Sequence, residues 1–155
     1  MQILFLRHGE ADWPDWDKPD DERPLTRRGR KEMKRVAEFL ERLEFCPDAI
    51  LSSPLPRARQ TAEIAAKRLG KEVMIEPKLV HGFNSERLRD MIANADAERV
   101  MIVGHEPEFS QVIKNLTGGK VKLSKAGVAL LEIDQGCKSA ELRWLFPPKI
   151  VKAAK

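Results

Sequence analysis

Two arginines and two histidines stand where the sequence turns from apolar to polar. Arg7 and His8 follow an apolar run near the N-terminus, and His105 follows a second such run. Arg57 comes shortly after two serines and a proline. Arginine binds phosphoryl oxygens through two parallel hydrogen bonds, and a neutral imidazole is a nucleophile. If the fold brings them together, the four side chains could bind a phosphoryl group and attack it.

Three predicted strands would bring these side chains to one place. The segments 2–6 and 99–104 contain continuous apolar runs, which are typical of strands buried on both faces of a parallel sheet, and 48–53 is a third strand candidate. The carboxyl ends of parallel strands meet at the same edge of a sheet. The clusters expected to converge there are Arg7-His8-Gly9-Glu10, Ser52-Ser53-Pro54 and Gly104-His105-Glu106.

Helices are predicted between these strands. Thr26 caps a helix that runs to about Leu43 and buries that leucine, and Ser53 caps a second helix that starts at Pro54 and ends at Gly70. The remaining predicted elements are a strand at 73–75, helices from about 85 and from 107, and strands at 127–133 and 140–146. Strands that alternate with helices indicate an α/β domain, a three-layer α/β/α sandwich whose central sheet is mostly parallel with an antiparallel edge.

Length and composition limit the other possibilities. The 155 residues suit a single domain, predicted over 1–148 and followed by a basic tail at 149–155. The formal net charge of +4 favours anionic substrates, but acids are interleaved with the basic residues, which argues against a nucleic-acid partner. No apolar run approaches the roughly 20 residues that span a bilayer, and no leader peptide is expected. Cys46 and Cys137 are expected to be the reduced thiols of a cytoplasmic protein. We also expect a monomer.

Four motifs together resemble the histidine phosphatase superfamily, whose fold is phosphoglycerate mutase-like. They are RHG at 7–9, PLTRRG at 24–29, SSPLPRARQTA at 52–62 and VGHEP at 103–107. Each is modest alone, but the set occurs in the family's order over about two-thirds of the chain. The short chain and the RHGEA opening are most similar to the family's phosphohistidine phosphatases of the SixA type.

The resemblance implies a role for each residue. His8 would be the nucleophile that carries the phosphoryl group and then gives it up to water. The implied phosphate-binding set is Arg7, Gly9, Arg57, His105 and Glu106. Arg59 is the alternative to Arg57, but Arg57 has the family's place before Ala-x-Gln-Thr. No metal ion or cofactor is implied, because the two arginines supply the positive charge.

A general acid is harder to identify. Many members of the superfamily place a carboxylic acid before the third helix, where this chain reads KLVHGFNSE. The candidates are Glu10, Asp12, His81 and Glu86, of which Glu10 and His81 are retained. An alkoxide leaving group needs a proton, whereas the imidazole of phosphohistidine leaves as a neutral molecule once its other ring nitrogen is protonated. The sequence therefore predicts a phosphatase for phosphohistidine on a signalling or phosphotransfer protein.

Two other functions stay open. One is a broad-specificity phosphomonoesterase for small molecules that uses the same four residues. The other is a non-catalytic module that binds phosphoproteins. A metal site made from His8, His105 and Glu10 lacks the spacing of a metal-binding motif.

The loop 11–24 has an unusual composition. It contains Trp13 and Trp16, and between residues 12 and 22 it has six acidic residues against one lysine. We predict a solvated surface loop. The alternative is that the loop borders the active site, where its tryptophans would touch a substrate.

Overall fold

The computed structural model of the chain describes residues 1–93 and 95–154. Within them, six strands form one sheet: β1 Gln2–Arg7, β2 Ala49–Ser52, β3 Val73–Ile75, β4 Arg99–Gly104, β5 Val128–Ile133 and β6 Ala140–Phe146. Their order across the sheet is β3-β2-β4-β1-β5-β6. The first four strands of the chain run parallel, whereas β5 is antiparallel to β1 and β6 is antiparallel to β5. The predicted sheet is confirmed.

Helices cover both faces of this sheet. Those within the described residues are α1 Arg27–Arg42, α2 Pro56–Leu69, α3 Ser85–Ile92, α4 Glu108–Thr117 and α5 Pro148–Ala153. Leu4 and Leu6 of β1 belong to the core shared with α1, α2 and α5, whereas Ile3 and Phe5 belong to the core shared with α3 and α4. This alternation is the two-residue period of a strand. The predicted three-layer sandwich is confirmed.

Strand β1 aligns the ends of its neighbours. Its four apolar residues are fully buried. The register with β4 places Arg7 opposite Gly104, and the His8 N–H donates to the Gly104 carbonyl at 3.0 Å. On the other side of β4, the Ser53 N–H donates to the Val103 carbonyl at 3.0 Å. The polar clusters that follow β1, β2 and β4 therefore lie side by side, as the sequence predicts.

Helix α2 begins later than predicted. The sequence places its start at Ser53 and Pro54, but the helix begins at Pro56 with Leu55 as its N-cap. Ser53 cannot join the helix because its N–H extends the ladder with β4. Proline suits the first helical position, where its missing N–H leaves no bond unmade. The helix ends as predicted, with Gly70 at a φ of 68° that favours glycine.

Two predictions about which residues are packed against the core are wrong. The basic tail expected at 149–155 folds into α5, because Val151 is buried against the core beside α1. The last residue of that tail lies outside the described part of the chain. Leu43, expected on the buried face of α1, is 46% exposed because the helix ends before it and Phe45 fills that end of the core.

The cysteines match the predicted thiols. Cys46 is exposed, Cys137 is buried, and in the described part of the chain neither forms a disulfide. Burial raises the pKa of the Cys137 thiol, so this group stays protonated at neutral pH.

Across residues 1–93 and 95–154, no helix is long and apolar enough to cross a bilayer.

Gly29 allows α1 to approach the segment after His8, and Gly29→Ala should separate the two. An alanine Cβ at this position would lie 2.2 Å from the Glu10 carbonyl oxygen. We expect the free energy of unfolding, measured by chemical denaturation, to fall by about 1–3 kcal/mol. Arg30→Ala, at an exposed position of the same turn, is the control and should change it by less than about 0.5 kcal/mol. Equal stabilities would contradict the close contact.

Candidate active site

His8 follows β1 and has 8% of its surface exposed. Its Nδ1 lies 2.7 Å from the Gly9 carbonyl oxygen. Because a carbonyl oxygen only accepts hydrogen bonds, Nδ1 carries the hydrogen and Nε2 keeps a free lone pair. The Gly9 N–H is fixed in turn by the Thr61 hydroxyl at 3.0 Å. The backbone thus selects the tautomer of His8 in which Nε2 can attack an electrophile.

The surroundings of His8 keep its imidazole uncharged. Burial lowers its pKa from the usual 6.5 to about 4, and the hydrogen bond to Gly9 opposes this shift. The nearby positive charges of Arg57, Arg7 and Arg23 lower the pKa further. At neutral pH the ring is therefore unprotonated, which is the state that a nucleophile requires.

Two arginines lie beside His8. Arg7 donates from Nη1 to the Leu123 carbonyl at 2.9 Å, and Arg57 donates from Nη1 to the Asp20 carbonyl at 3.1 Å. Burial lowers the pKa of both guanidinium groups, but arginine remains charged at neutral pH. The Nε atom of each is buried and has no partner among the described residues. A buried donor without a partner is rare in a folded protein and indicates a site for an acceptor.

Ser53 fixes the tautomer of His105. Both residues are buried, and His105 Nε2 lies 2.8 Å from Ser53 Oγ. This oxygen accepts the Leu55 N–H at 3.2 Å, and among the described residues His105 Nε2 is the one acceptor available to the hydroxyl's own hydrogen. His105 then carries its hydrogen on Nδ1, which is buried and unpartnered in the described structure. Burial lowers the pKa of His105 to about 3, so the ring is a neutral donor at physiological pH.

The unpartnered donors lie around His8. The centroids of the His8 and His105 rings are 5.4 Å apart. Of the five buried side-chain polar atoms that lack a partner in the described part of the chain, three belong here: Arg7 Nε, Arg57 Nε and His105 Nδ1. A phosphoryl group in transfer has three equatorial oxygens that need donors. The structure brings the four predicted residues together. Their three unpartnered donors match the three oxygens of a phosphoryl group, and their positive charge complements its negative charge.

Gly9 and Glu106 make other hydrogen bonds in this structure, and their binding to phosphate stays a prediction. Both backbone groups of Gly9 are used to fix His8, as described above. The Glu106 carboxylate accepts the Ser110 N–H at 2.7 Å, the Ser110 hydroxyl, and the Leu123 N–H at 3.4 Å. Because this carboxylate is anionic and its oxygens already have donors, the side chain of Glu106 is not a ligand for phosphate. Glu106 instead holds the start of α4 and the segment whose Leu123 carbonyl orients Arg7.

Three of the four candidates for the general acid are carboxylates, and each has its own environment. The Glu10 carboxylate accepts the Thr26 hydroxyl at 3.1 Å, which holds it at the start of α1. A hydrogen bond from Lys125 lowers the pKa of Asp12, so that carboxylate is ionised. Glu86 is exposed on α3. An ionised Asp12 has no proton to give to a leaving group, and the role of Glu10 or Glu86 as the general acid stays a prediction.

His81 is the candidate that reaches the site. Its ring centroid lies 5.6 Å from that of His105, with the two ring planes inclined by 33°. Its Nε2 lies 3.3 Å from Asp21 Oδ1, and both side chains are 59% exposed. His81 therefore lies at the solvent-facing rim of the site, in contact with the acidic loop.

The acidic loop 11–24 borders the site, which was the alternative interpretation of its sequence. A short 3-10 turn over Asp20–Glu22 places Asp20 Oδ2 and Asp21 Oδ1 each 3.8 Å from Arg57 Nη2. Arg23 Nε donates to Asp20 Oδ1 at 2.8 Å. Sequence reasoning missed Asp20, Asp21 and Arg23 as site residues. The one signal available was that this loop leaves the same strand end as His8.

The tryptophans of this loop hold its own backbone. Trp13 Nε1 donates to the Pro24 carbonyl at 2.9 Å, and Trp16 Nε1 donates to the Pro19 carbonyl at 3.0 Å. The Trp13 ring is 40% exposed. Their contact with a substrate stays a prediction.

Comparison with known proteins agrees with this geometry. A family model described as the histidine phosphatase superfamily (branch 1) matches residues 3–81. An uncharacterised protein of Picosynechococcus sp. is 38% identical over 138 residues, which cover 83% of this chain and 82% of that protein. The chain belongs to the histidine phosphatase superfamily. This places it among phosphatases, a group of hydrolases.

Within the histidine phosphatase superfamily, the chain is similar to SixA proteins. The phosphohistidine phosphatase SixA of Escherichia coli is 26% identical over 163 residues, which cover 100% of this chain and 99% of that protein. A solved structure of the protein histidine phosphatase SixA complexed with tungstate has a TM-score of 0.85 and 24% identity, and the match covers 97% of this chain and 99% of that one. The structural likeness confirms the phosphoglycerate mutase-like fold expected from the sequence.

Ser53→Ala should slow catalysis without removing a catalytic group. Loss of the hydroxyl leaves His105 free to place its hydrogen on either ring nitrogen. We expect kcat to fall about tenfold, the equivalent of one lost hydrogen bond, and ¹⁵N NMR to show a mixture of His105 tautomers. Ser52→Ala is the matched control, because the Ser52 hydroxyl donates to the Ser53 carbonyl at 2.9 Å rather than to a histidine. A single unchanged His105 tautomer in Ser53→Ala would contradict this role.

The titration of His8 tests its burial. NMR of the imidazole should show a midpoint near pH 4, and Arg57→Ala should move it upward because a positive charge is lost. The unfolded chain, with a histidine pKa near 6.5, binds more protons between about pH 4 and 6.5. The free energy of unfolding should therefore fall as the pH is lowered through that window. A midpoint near 6.5 in the folded protein would show that His8 is solvated.

Proposed function

We propose that this protein is a phosphatase that carries the phosphoryl group on His8 and removes phosphate from phosphohistidine in a signalling or phosphotransfer protein. The observation that carries the proposal is a neutral imidazole with a free Nε2, surrounded by three buried donors that lack partners in the described structure. The full-length similarity to the phosphohistidine phosphatase SixA of Escherichia coli supports the same substrate class.

In the first step, His8 takes the phosphoryl group. Arg7, Arg57 and His105 hold its three oxygens, which keep their negative charge throughout the transfer. The lone pair of His8 Nε2 attacks the phosphorus while the phosphorus–nitrogen bond of the substrate breaks on the opposite side. Positive charge that develops on the His8 ring is stabilised at Nδ1–H by the Gly9 carbonyl at 2.7 Å.

In the second step, water releases the phosphate. The oxygen of water bonds to phosphorus as the bond to His8 Nε2 breaks, and the electron pair returns to the imidazole. The proton of the water leaves with the phosphate or passes to solvent at the open rim. His8 regains the neutral tautomer that the Gly9 carbonyl selects, and the cycle uses no metal ion or cofactor.

The placement of the carboxylates favours a nitrogen leaving group. Glu10 is held at α1 and Asp12 is ionised by its pairing with Lys125, so neither supplies the proton that an alkoxide needs. The imidazole of a phosphohistidine that is protonated on its other ring nitrogen departs as a neutral molecule. The rim is also open, as the exposed His81 shows, which suits a side chain presented by another protein.

A phosphoenzyme trapped on His8 is the direct test. With labelled phosphoramidate we expect an acid-labile, base-stable adduct that His8→Ala does not form. Arg57→Ala should lose at least about 100-fold in kcat/KM, because a buried cation that contacts the transferring group is removed. Arg59→Ala is the matched control: this arginine is 48% exposed and paired with Glu63 at 3.6 Å, so its loss should change kcat/KM little.

Three results would contradict the proposal. Rapid turnover of phosphoglycerate with an intact phosphohistidine peptide would indicate a small-molecule phosphomonoesterase. Phosphopeptide affinity that survives His8→Ala, in a protein with no turnover, would indicate a binding module. Equal losses in Arg57→Ala and Arg59→Ala would remove the assigned role of Arg57.

The expected monomer and cytoplasmic location belong to the same proposal. Sedimentation tests the oligomeric state, and cell fractionation tests the location.

A further inference from the structure

Asp21 and His81 form a hydrogen-bonded pair that the proposed mechanism does not use. His81 Nε2 and Asp21 Oδ1 are 3.3 Å apart, and the same carboxylate oxygen lies 3.8 Å from Arg57 Nη2. Arg57 is 3% exposed, and its Nε is one of the buried donors without a partner among the described residues. The carboxylate of Asp21 is therefore next to the position at which a phosphoryl group would bind.

The His81 ring shows that an imidazole fits at this rim. It lies beside the His105 ring at a centroid distance of 5.6 Å and directs a ring nitrogen at Asp21. A substrate histidine whose phosphoryl group is held by Arg7, Arg57 and His105 must place its own ring on the solvent side of that group. The rim thus already contains an imidazole bound to a carboxylate where the leaving imidazole has to pass.

The two acids of the rim differ in their freedom to bind a substrate. Arg23 donates to Asp20 Oδ1 at 2.8 Å, and this bond lowers the Asp20 pKa, so Asp20 is already committed to the loop. The hydrogen-bond partner of Asp21 is the exposed side chain of His81, which can move aside into solvent and leave Asp21 beside Arg57. Asp21 is therefore the acid that can exchange its partner.

We propose that Asp21 selects the leaving group: its carboxylate accepts a hydrogen bond from the free ring N–H of the substrate's phosphohistidine, and His81 holds Asp21 until the substrate arrives. This inference rests on the proposed function. The hydrogen bond stabilises the ring in its protonated form. When the phosphorus–nitrogen bond breaks, the electron pair stays on the ring nitrogen that carried phosphorus, and neutral imidazole departs with its proton still on the other nitrogen.

The same carboxylate disfavours other substrates. An aryl phosphate offers no N–H to Asp21, and a metabolite with a second anionic group brings like charge close to it. Asp21 is thus a specificity-determining residue, and its effect depends on the leaving group and not on the phosphoryl group itself.

Two substrates and three variants test the inference. Phosphoimidazole has a free ring nitrogen, whereas p-nitrophenyl phosphate has none. For Asp21→Asn we expect kcat/KM to fall about 10- to 100-fold on phosphoimidazole, the loss of a charge-assisted hydrogen bond, and to stay level or rise on p-nitrophenyl phosphate. For His81→Ala we expect kcat/KM on phosphoimidazole to stay level or rise through a lower KM. Asp15→Asn, an exposed acid of the same loop, is the control and should leave both substrates unchanged.

Opposite effects of the Asp21→Asn and His81→Ala substitutions on turnover of phosphoimidazole are the distinguishing result. An equal loss on both substrates in Asp21→Asn would overturn the inference, because Asp21 would then only orient Arg57 or the loop. A loss in His81→Ala as large as that in Asp21→Asn would also overturn it, since His81 would be a proton donor. Wild-type protein that leaves phosphoimidazole intact while hydrolysing p-nitrophenyl phosphate would overturn the proposed function as well.

Discussion

The burial of like charges in one site is the constraint on which the rest of the structure depends. Arg7 and Arg57 place two guanidinium groups beside two imidazoles where water has little access. A protonated ring there would face both desolvation and repulsion, so His8 and His105 are neutral. The donors that the fold leaves unpartnered around them suit a phosphoryl group, whose negative charge satisfies them. The proposed nucleophile and the proposed anion site thus follow from the same burial.

Neutral groups orient three of the four side chains of the site, which preserves this positive charge. The Gly9 carbonyl, the Ser53 hydroxyl and the Leu123 carbonyl fix His8, His105 and Arg7 respectively. A carboxylate in any of these positions would compete with the substrate for the cations. The acids of the neighbourhood are kept at the rim or, as with the carboxylate after His105, are already bound by hydrogen-bond donors of α4 and the segment that follows it.

Sequence reasoning predicted those parts of the fold and the site that follow a periodic pattern or a family motif. Hydrophobic runs located the strands, and motifs at their ends located His8, Arg57 and His105. The role of Ser53 depends on the register between β2 and β4, which no local pattern encodes. The contacts of the acidic loop with Arg57 could not be predicted because an irregular loop has no period. Helix α5 buries Val151 within a six-residue span, too short for a periodic signal.

The central position of β1 also determines when the active site can exist during synthesis. This strand precedes the other described strands in the sequence, yet Gln2 pairs with Arg99 on one side and with Glu132 on the other. Pairings so distant in sequence make chain closure slow, and they cannot form until most of the polypeptide has emerged. His8 therefore cannot meet His105 until β4 has been made, and nascent fragments that stop short of β4 lack part of the site.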